Sequence, residues 1–181
     1  SIESLLNFSK QFKPKMVFLS WIDLYDHKKS SQFRAAKDTE VILAKFSKER
    51  NLNARVVRLA PVWGPRMNFR VDDPIIRLIS AALDENLQQE SVSLEFSSRS
   101  LYIDDAVSLI IKSMMAGSTA WKIFDGVSPT PIKASEIKQI LLDPVWHENR
   151  SFEPSELPPW PTPNLERTIK ELSWRPKVSL I

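Results

Sequence analysis

Cysteine is absent from the 181 residues, so the chain has neither a disulfide framework nor a thiolate for nucleophilic attack or metal binding. Two histidines, His27 and His147, are too few for a multi-histidine metal site, and no metal is expected. Glycine is nearly as scarce: Gly64, Gly117 and Gly126 stand far apart. A phosphate-cradling loop needs closely spaced glycines after a strand so that backbone amides can approach the phosphates. No such loop can be written here. No run approaches the ~20 apolar residues that cross a bilayer, and with no signal-peptide pattern the expectation is a cytoplasmic protein without a membrane partner.

Charge of one sign is lacking as well. The formal net charge is +3, but acids at Asp38, Glu40, Glu49, Asp72, Asp73, Glu85, Glu166 and Glu171 interrupt the basic residues. This is a solvated surface and not a nucleic-acid footprint, so no nucleic acid is expected as partner.

What is present is an ordinary globular composition, 43% hydrophobic and 26% charged, in a chain long enough for one core. Residues 1–13 read as an amphipathic helix with Ile2, Leu5, Leu6 and Phe8 on one side. Lys15 to Ser20 is an apolar run with the pattern of a strand buried on both faces. Ser31 to Arg50 repeats apolar residues at helical spacing, at Phe33, Ala36, Leu43 and Phe46 with Val41 and Ile42 beside them. Ala54 to Leu59 is a second buried strand, and Pro61 to Pro65 a rigid loop.

Asp72-Asp73-Pro74 opens a helix through IIRLISAAL, and Ser91 to Phe96 alternates as a strand. A helix from Asp105 to Ala116 is predicted with carboxylate caps, with Val107, Ile110, Ile111 and Met114 toward the core and Met114 and Met115 as core filler. Trp121 to Gly126 reads as a strand and turn, and Pro131 to Ile137 as a short strand and helix. Residues 143–163 hold six of the thirteen prolines and read as a surface excursion, in which Trp146 and Trp160 either pin the loop to the core or stack on a base or sugar.

Three stretches are more specific: Phe33-x-x-x-Lys37 followed by the loop Arg58-Leu59-Ala60-Pro61-Val62-Trp63-Gly64-Pro65-Arg66; Arg99 to Val107; and Asn164 to Leu180. In this order they resemble the extended short-chain dehydrogenase/reductases, the NAD(P)-dependent sugar-nucleotide epimerases, dehydratases and decarboxylases. There the corresponding patterns are YxxxK with RxxNVYGPR, then R-x-(F/Y)-x-Y-(V/I)-x-D, then a segment containing L-G-W-x-P-K-x-S-L. The resemblance spans nearly all of the chain, but only as the C-terminal part of the family's length, so the chain looks like a piece cut at both ends.

The resemblance implies an α/β fold: the C-terminal part of a Rossmann-type parallel sheet with flanking helices, plus a small α+β substrate lobe. Residues 1–66 would supply the remaining strands and helices of the NAD(P)-binding domain, and 67–181 the substrate lobe with interleaved returning elements. It also implies site residues. Lys37 takes the position of the lysine that lowers the tyrosine pKa and holds the nicotinamide ribose, Phe33 that of the catalytic tyrosine, and Trp21 that of its serine or threonine helper, with Ser20 and Asp23 as neighbours that can substitute. Ser20, Ala60, Pro61 and Val62 would line the cofactor, and Arg66, Arg99 and Tyr102 the nucleotide-sugar. A guanidinium fork suits diphosphate oxygens.

The departures matter as much. A nearby cation stabilises phenolate and so tunes a tyrosine for proton transfer, but Phe33 has no hydroxyl to exchange. The expected protein is therefore a catalytically impaired homologue, with NAD or NADP as the family's cofactor although this chain alone lacks the loop to hold it. A homodimer through the helix carrying Lys37 is implied. The alternative is a non-catalytic nucleotide-sugar-binding or dimer-scaffold protein.

Overall fold

The computed structural model describes residues 4, 6–8, 14–22, 31–67, 74–84, 96–117, 121–142 and 164–178. In chain order the elements are β1 (Met16–Trp21), α1 (Ser31–Arg50), β2 (Ala54–Leu59), β3 (Val62–Trp63), α2 (Pro74–Leu83), β4 (Ser97–Ser98), β5 (Leu101–Tyr102), α3 (Ile103–Met115), β6 (Lys122–Gly126), β7 (Ile132–Lys133), α4 (Ala134–Leu142) and α5 (Leu165–Leu172). β1, β2 and β6 form a parallel sheet in the order β1-β2-β6. Parallel neighbours need a crossover, and α1 supplies it between β1 and β2. The fold is α/β, as the resemblance implies.

Strand alternation sorts the side chains. Met16 and Phe18 of β1, Ala54 and Val56 of β2 and Ile123 of β6 pack with Leu6, Leu43, Phe46 and Leu52 on the α1 side. Val17, Val57, Leu59 and Phe124 face the other way, into a core with Leu101, Ala106, Leu109, Leu172 and Trp174. β2 is central and covered on both faces, which its Val-rich sequence permits. A cation lies on that side of the sheet: Arg55 is wholly buried, and burial lowers its pKa from the ordinary arginine value. Its Nη2 donates to the Ala116 carbonyl at 2.7 Å, and Lys15 Nζ reaches the same oxygen at 3.3 Å. The negative end of the α3 dipole thus meets two cations.

A second cluster lies apart from the sheet. Ile75, Leu78 and Ala81 of α2 pack against Ile132, Ala134 and Ile137, beside the antiparallel pair β4-β7. The C-terminal segment docks on α3. Trp174 is buried and donates from Nε1 to the Asp105 carbonyl at 3.2 Å and to Ser108 Oγ at 2.9 Å. Asp105 Oδ2 accepts the backbone N–H groups of Lys177 and Val178, each at 2.9 Å. Asn164 caps α5 by accepting from the Arg167 N–H at 3.0 Å, and Ser173 closes it in a left-handed conformation at φ +46°.

Several expectations need correction. β1 is not buried on both faces: as an end strand of the described sheet it leaves Leu19 and Trp21 exposed. Phe8 is exposed too. The loop after β2 contains β3, which pairs in parallel with β5. α3 starts at Ile103 with no side-chain cap at Tyr102, whose phenol is no capping group, and the Asp105 carboxylate of its first turn is turned to the C-terminal segment. Of the α3 residues predicted to face the core, Ile110 does. Val107, Ile111, Met114 and Met115 are exposed, because α5 and the tail cover only one flank of the helix. The predicted strand over 91–96 lies outside the described residues except for Phe96, and β4 is formed by Ser97–Ser98. Asp23, His27, Asp72, Asp73, Trp146, His147 and Trp160 lie outside the described residues.

Candidate functional site

In open parallel α/β sheets ligands bind outside the carboxyl ends of the strands. Here those ends are Trp21, Leu59 and Gly126, set side by side by the registers Trp21 to Leu59 and Leu59 to Gly126. Backbone hydrogen bonds tie the following loops into one rim. The Ala60 N–H donates to the Gly126 carbonyl at 2.9 Å, the Leu101 N–H to Pro61 at 2.8 Å, and the Ser128 N–H to Arg99 at 3.0 Å. Ala60, Pro61, Val62, Arg99 and Tyr102 come together there.

The loop carrying Arg66 depends on its glycine. Gly64 has φ +145°, and a Cβ on it would lie 2.6 Å from Ile103 Cγ2 and 3.2 Å from Tyr102 Cε2. Arg66, also left-handed at φ +64°, is exposed just beyond. Tyr102 is held by Trp63, with ring centroids 4.8 Å apart and planes tilted by 58°. Arg99 differs from Arg66: its Nε is buried without a hydrogen-bond partner among the described residues, and burial lowers its pKa from the ordinary arginine value. A desolvated donor of that kind costs free energy until an acceptor arrives.

On the α1 side the register sets Ser20 beside Arg58. Ser20 is buried with its Oγ lacking a partner among the described residues. Arg58 binds Glu40 of α1 through Nε to Oε1 at 3.1 Å and Nη2 to Oε2 at 2.6 Å. Buried Glu40, Leu43 and Ser47 mark the stripe of α1 that faces the sheet. Lys37, one turn before Glu40 and about 60° to its side, is exposed. Phe33 lies one turn earlier still. Trp21 follows Ser20 on the strand and so faces away from α1, leaving it on the opposite face from Lys37.

The Glu40–Arg58 pair was not read from the sequence. The available signal was a carboxylate in phase with Leu43 and Ser47, because a charge on a buried stripe requires a partner.

No group of three or more metal-ligating side chains forms among the described residues, nor is any described helix long and apolar enough to cross a membrane. The space beside Gly64 is filled by Ile103 and Tyr102, and that beside Gly126 by Leu109 and Leu59. Neither glycine offers a cradle for phosphate.

No family model matches the chain, and no curated protein matches it. Solved structures do. A UDP-glucose 4-epimerase from Thermotoga maritima, solved with UDP-glucose, is 22% identical at a TM-score of 0.71, with 97% of this chain and 63% of that one covered. This chain has that fold. A dTDP-glucose 4,6-dehydratase from Bacillus anthracis in complex with NAD matches at 16% identity and a TM-score of 0.74, covering 97% and 61%. A UDP-glucuronic acid 4-epimerase from Bacillus cereus, in complex with UDP-glucuronic acid and NAD, gives 16%, 0.73, 97% and 61%. The chain therefore spans less than two thirds of the length of each.

Proposed function

We propose that the chain is the nucleotide-sugar-binding side of an NAD(P)-dependent sugar-nucleotide epimerase, dehydratase or decarboxylase in which proton transfer is impaired. The observation that carries this reading is Arg99, a desolvated guanidinium with an unpartnered Nε, on a connection hydrogen-bonded to the strand ends where such a fold binds ligands. Its fork suits a diphosphate. Arg66 and Tyr102 would complete the nucleotide-sugar contacts. Ser20, Lys37 and the Ala60-Pro61-Val62 stretch would line the nicotinamide side. Residues 1–66 would form the remaining cofactor-domain elements and 67–181 the substrate lobe with its returning elements.

Within this reading Lys37 has no phenol to tune, since Phe33 takes the tyrosine position, and Trp21 brings no hydroxyl. The chain binds and orients, and does not relay a proton.

Calorimetry with UDP-glucose tests this. Wild type binds, and Arg99→Met weakens binding by about 10- to 100-fold, the loss of hydrogen bonds to a charged group. Unchanged affinity in Arg99→Met, or no binding by wild type, overturns the reading.

A second reading, a dimer scaffold in the cytoplasm, is favoured by exposed Val41 on α1. It predicts that Val41→Asp converts a dimer to monomer in analytical ultracentrifugation while Phe33→Tyr brings no turnover in the presence of cofactor.

A further inference from the structure

Several buried hydroxyls of this protein have a carbonyl to bond. Ser47 Oγ donates to the Leu52 carbonyl at 2.6 Å and Ser113 Oγ to that of Ile110 at 2.8 Å. Thr168 Oγ1 donates to the Asn164 carbonyl at 3.4 Å and accepts the Asp125 N–H at 2.9 Å. Ser113 and Thr168 use the preceding turn of their own helices. Ser100 has no such turn. It lies between β4 and β5, is 6% exposed, and its Oγ has no hydrogen-bond partner among the described residues. A buried hydroxyl left in that state costs free energy.

The peptide groups on both sides of Ser100 are fixed. Before it, the Arg99 carbonyl accepts from the Ser128 N–H in the connection after β6; after it, the Leu101 N–H donates to the Pro61 carbonyl in the loop after β2. Ser100 is thus pinned between the loops that leave the carboxyl ends of two neighbouring strands. Its backbone cannot shift to bring the hydroxyl to a partner without breaking one of these bonds. Arg99, ~3.8 Å away at Cα, carries the unpartnered Nε, so the two side chains do not satisfy each other. A guanidinium can only donate, whereas a hydroxyl can donate or accept. An anion drawn to the guanidinium would find the hydroxyl free to donate as well.

We propose that Ser100 is a further binding residue of this rim, its Oγ donating to an oxygen of the same diphosphate that Arg99 holds. The inference rests on the nucleotide-sugar reading and adds a neutral donor to it. A diphosphate has acceptor oxygens enough for both groups, and hydrogen bonds to a charged acceptor are the stronger kind. The hydroxyl therefore has opposite effects in the two states: it destabilises the empty protein and strengthens the complex.

Thermal melts and calorimetry of Ser100→Ala in the complete polypeptide test this. Without ligand the variant is expected to melt about 1–4 °C higher than wild type, because a small apolar group replaces an unpaired hydroxyl. Its affinity for UDP-glucose is expected to fall about 10-fold, and that for UDP by the same factor. A lower melting temperature would mean that the fold itself uses the hydroxyl, and a loss confined to UDP-glucose would put it on the sugar; either overturns the proposal. Affinity unchanged in Ser100→Ala but weakened in Arg99→Met overturns it while leaving the reading of Arg99 intact. Absence of binding by wild type overturns both.

Discussion

Glu40 and Arg58 clasp each other across the α1–β2 interface with side chains only 7% and 14% exposed. The pair joins the helix of Lys37 to the strand that ends at the candidate site, and so sets how far along the sheet Lys37 stands. Removing one partner of a buried pair leaves a charge without compensation, at about 3–5 kcal/mol. Glu40→Gln is expected to cost about 3 kcal/mol in urea unfolding, and Glu40→Gln with Arg58→Met to recover part of it. Additive losses in the double mutant would show that the two do not couple.

Asp105 is expected to hold the C-terminal segment. Asp105→Ala strands the N–H groups of Lys177 and Val178, a loss of about 1–3 kcal/mol, with faster amide exchange over 174–178. Asp105→Asn keeps an acceptor oxygen and should lose less. Equal losses in the two variants would mean that packing, not the acceptor, matters there.

Two left-handed positions should respond in opposite directions. Gly64→Ala drives a Cβ into Ile103 at an unfavourable φ and is expected to cost about 1–3 kcal/mol. Ser173→Gly relieves a left-handed serine at the end of α5 and is expected to add about 0.5–1 kcal/mol. Thermal melts of both variants check the pair.

The Glu171 carboxyl lies below the ordinary glutamate value, first because Lys122 donates to it; desolvation opposes this, and Arg167 at 3.1 Å adds to it. With the folded pKa below the unfolded one, the stabilising contribution is complete above the ordinary glutamate range and disappears as pH falls through the lowered value. The melting-temperature gap between wild type and Glu171→Gln should therefore close in acid and persist at neutral pH. The side chain is partly exposed, so the gap is modest. A gap constant down to strong acid would count against the ion pair.

Local periodicity carries its information unevenly. The α1 and β2 boundaries follow directly from apolar spacing and turn residues, because both elements are covered by their immediate neighbours. Val107, Ile111 and Met114 show what spacing leaves out: it marks an apolar stripe but not whether anything covers it. Asp105 reads locally as a helix-capping acid, yet its partners are more than seventy residues later. β1 reads as a doubly buried strand because its sequence suits one, and its place at the end of the described sheet appears only once the strand order is known. At the candidate site, Arg58 and Arg99 stand in segments that the sequence marked out, whereas the hydrogen bonds joining the loops after β2 and β6 to the Arg99 segment link residues too far apart in sequence for local patterns to show. The opposed facing of Ser20 and Trp21 came from register.

The strand order also sets a timetable for synthesis. β2 emerges from the ribosome with one edge matched to β1, but its other partner, β6, follows roughly 60 residues later, an interval of ~3–12 s at typical translation rates. Everything in α2 and α3 leaves the ribosome before the sheet that frames them can close. The Val-rich edge of β2 thus waits as an open template during each round of translation, the stage at which a nascent chain of this design has most need of a chaperone.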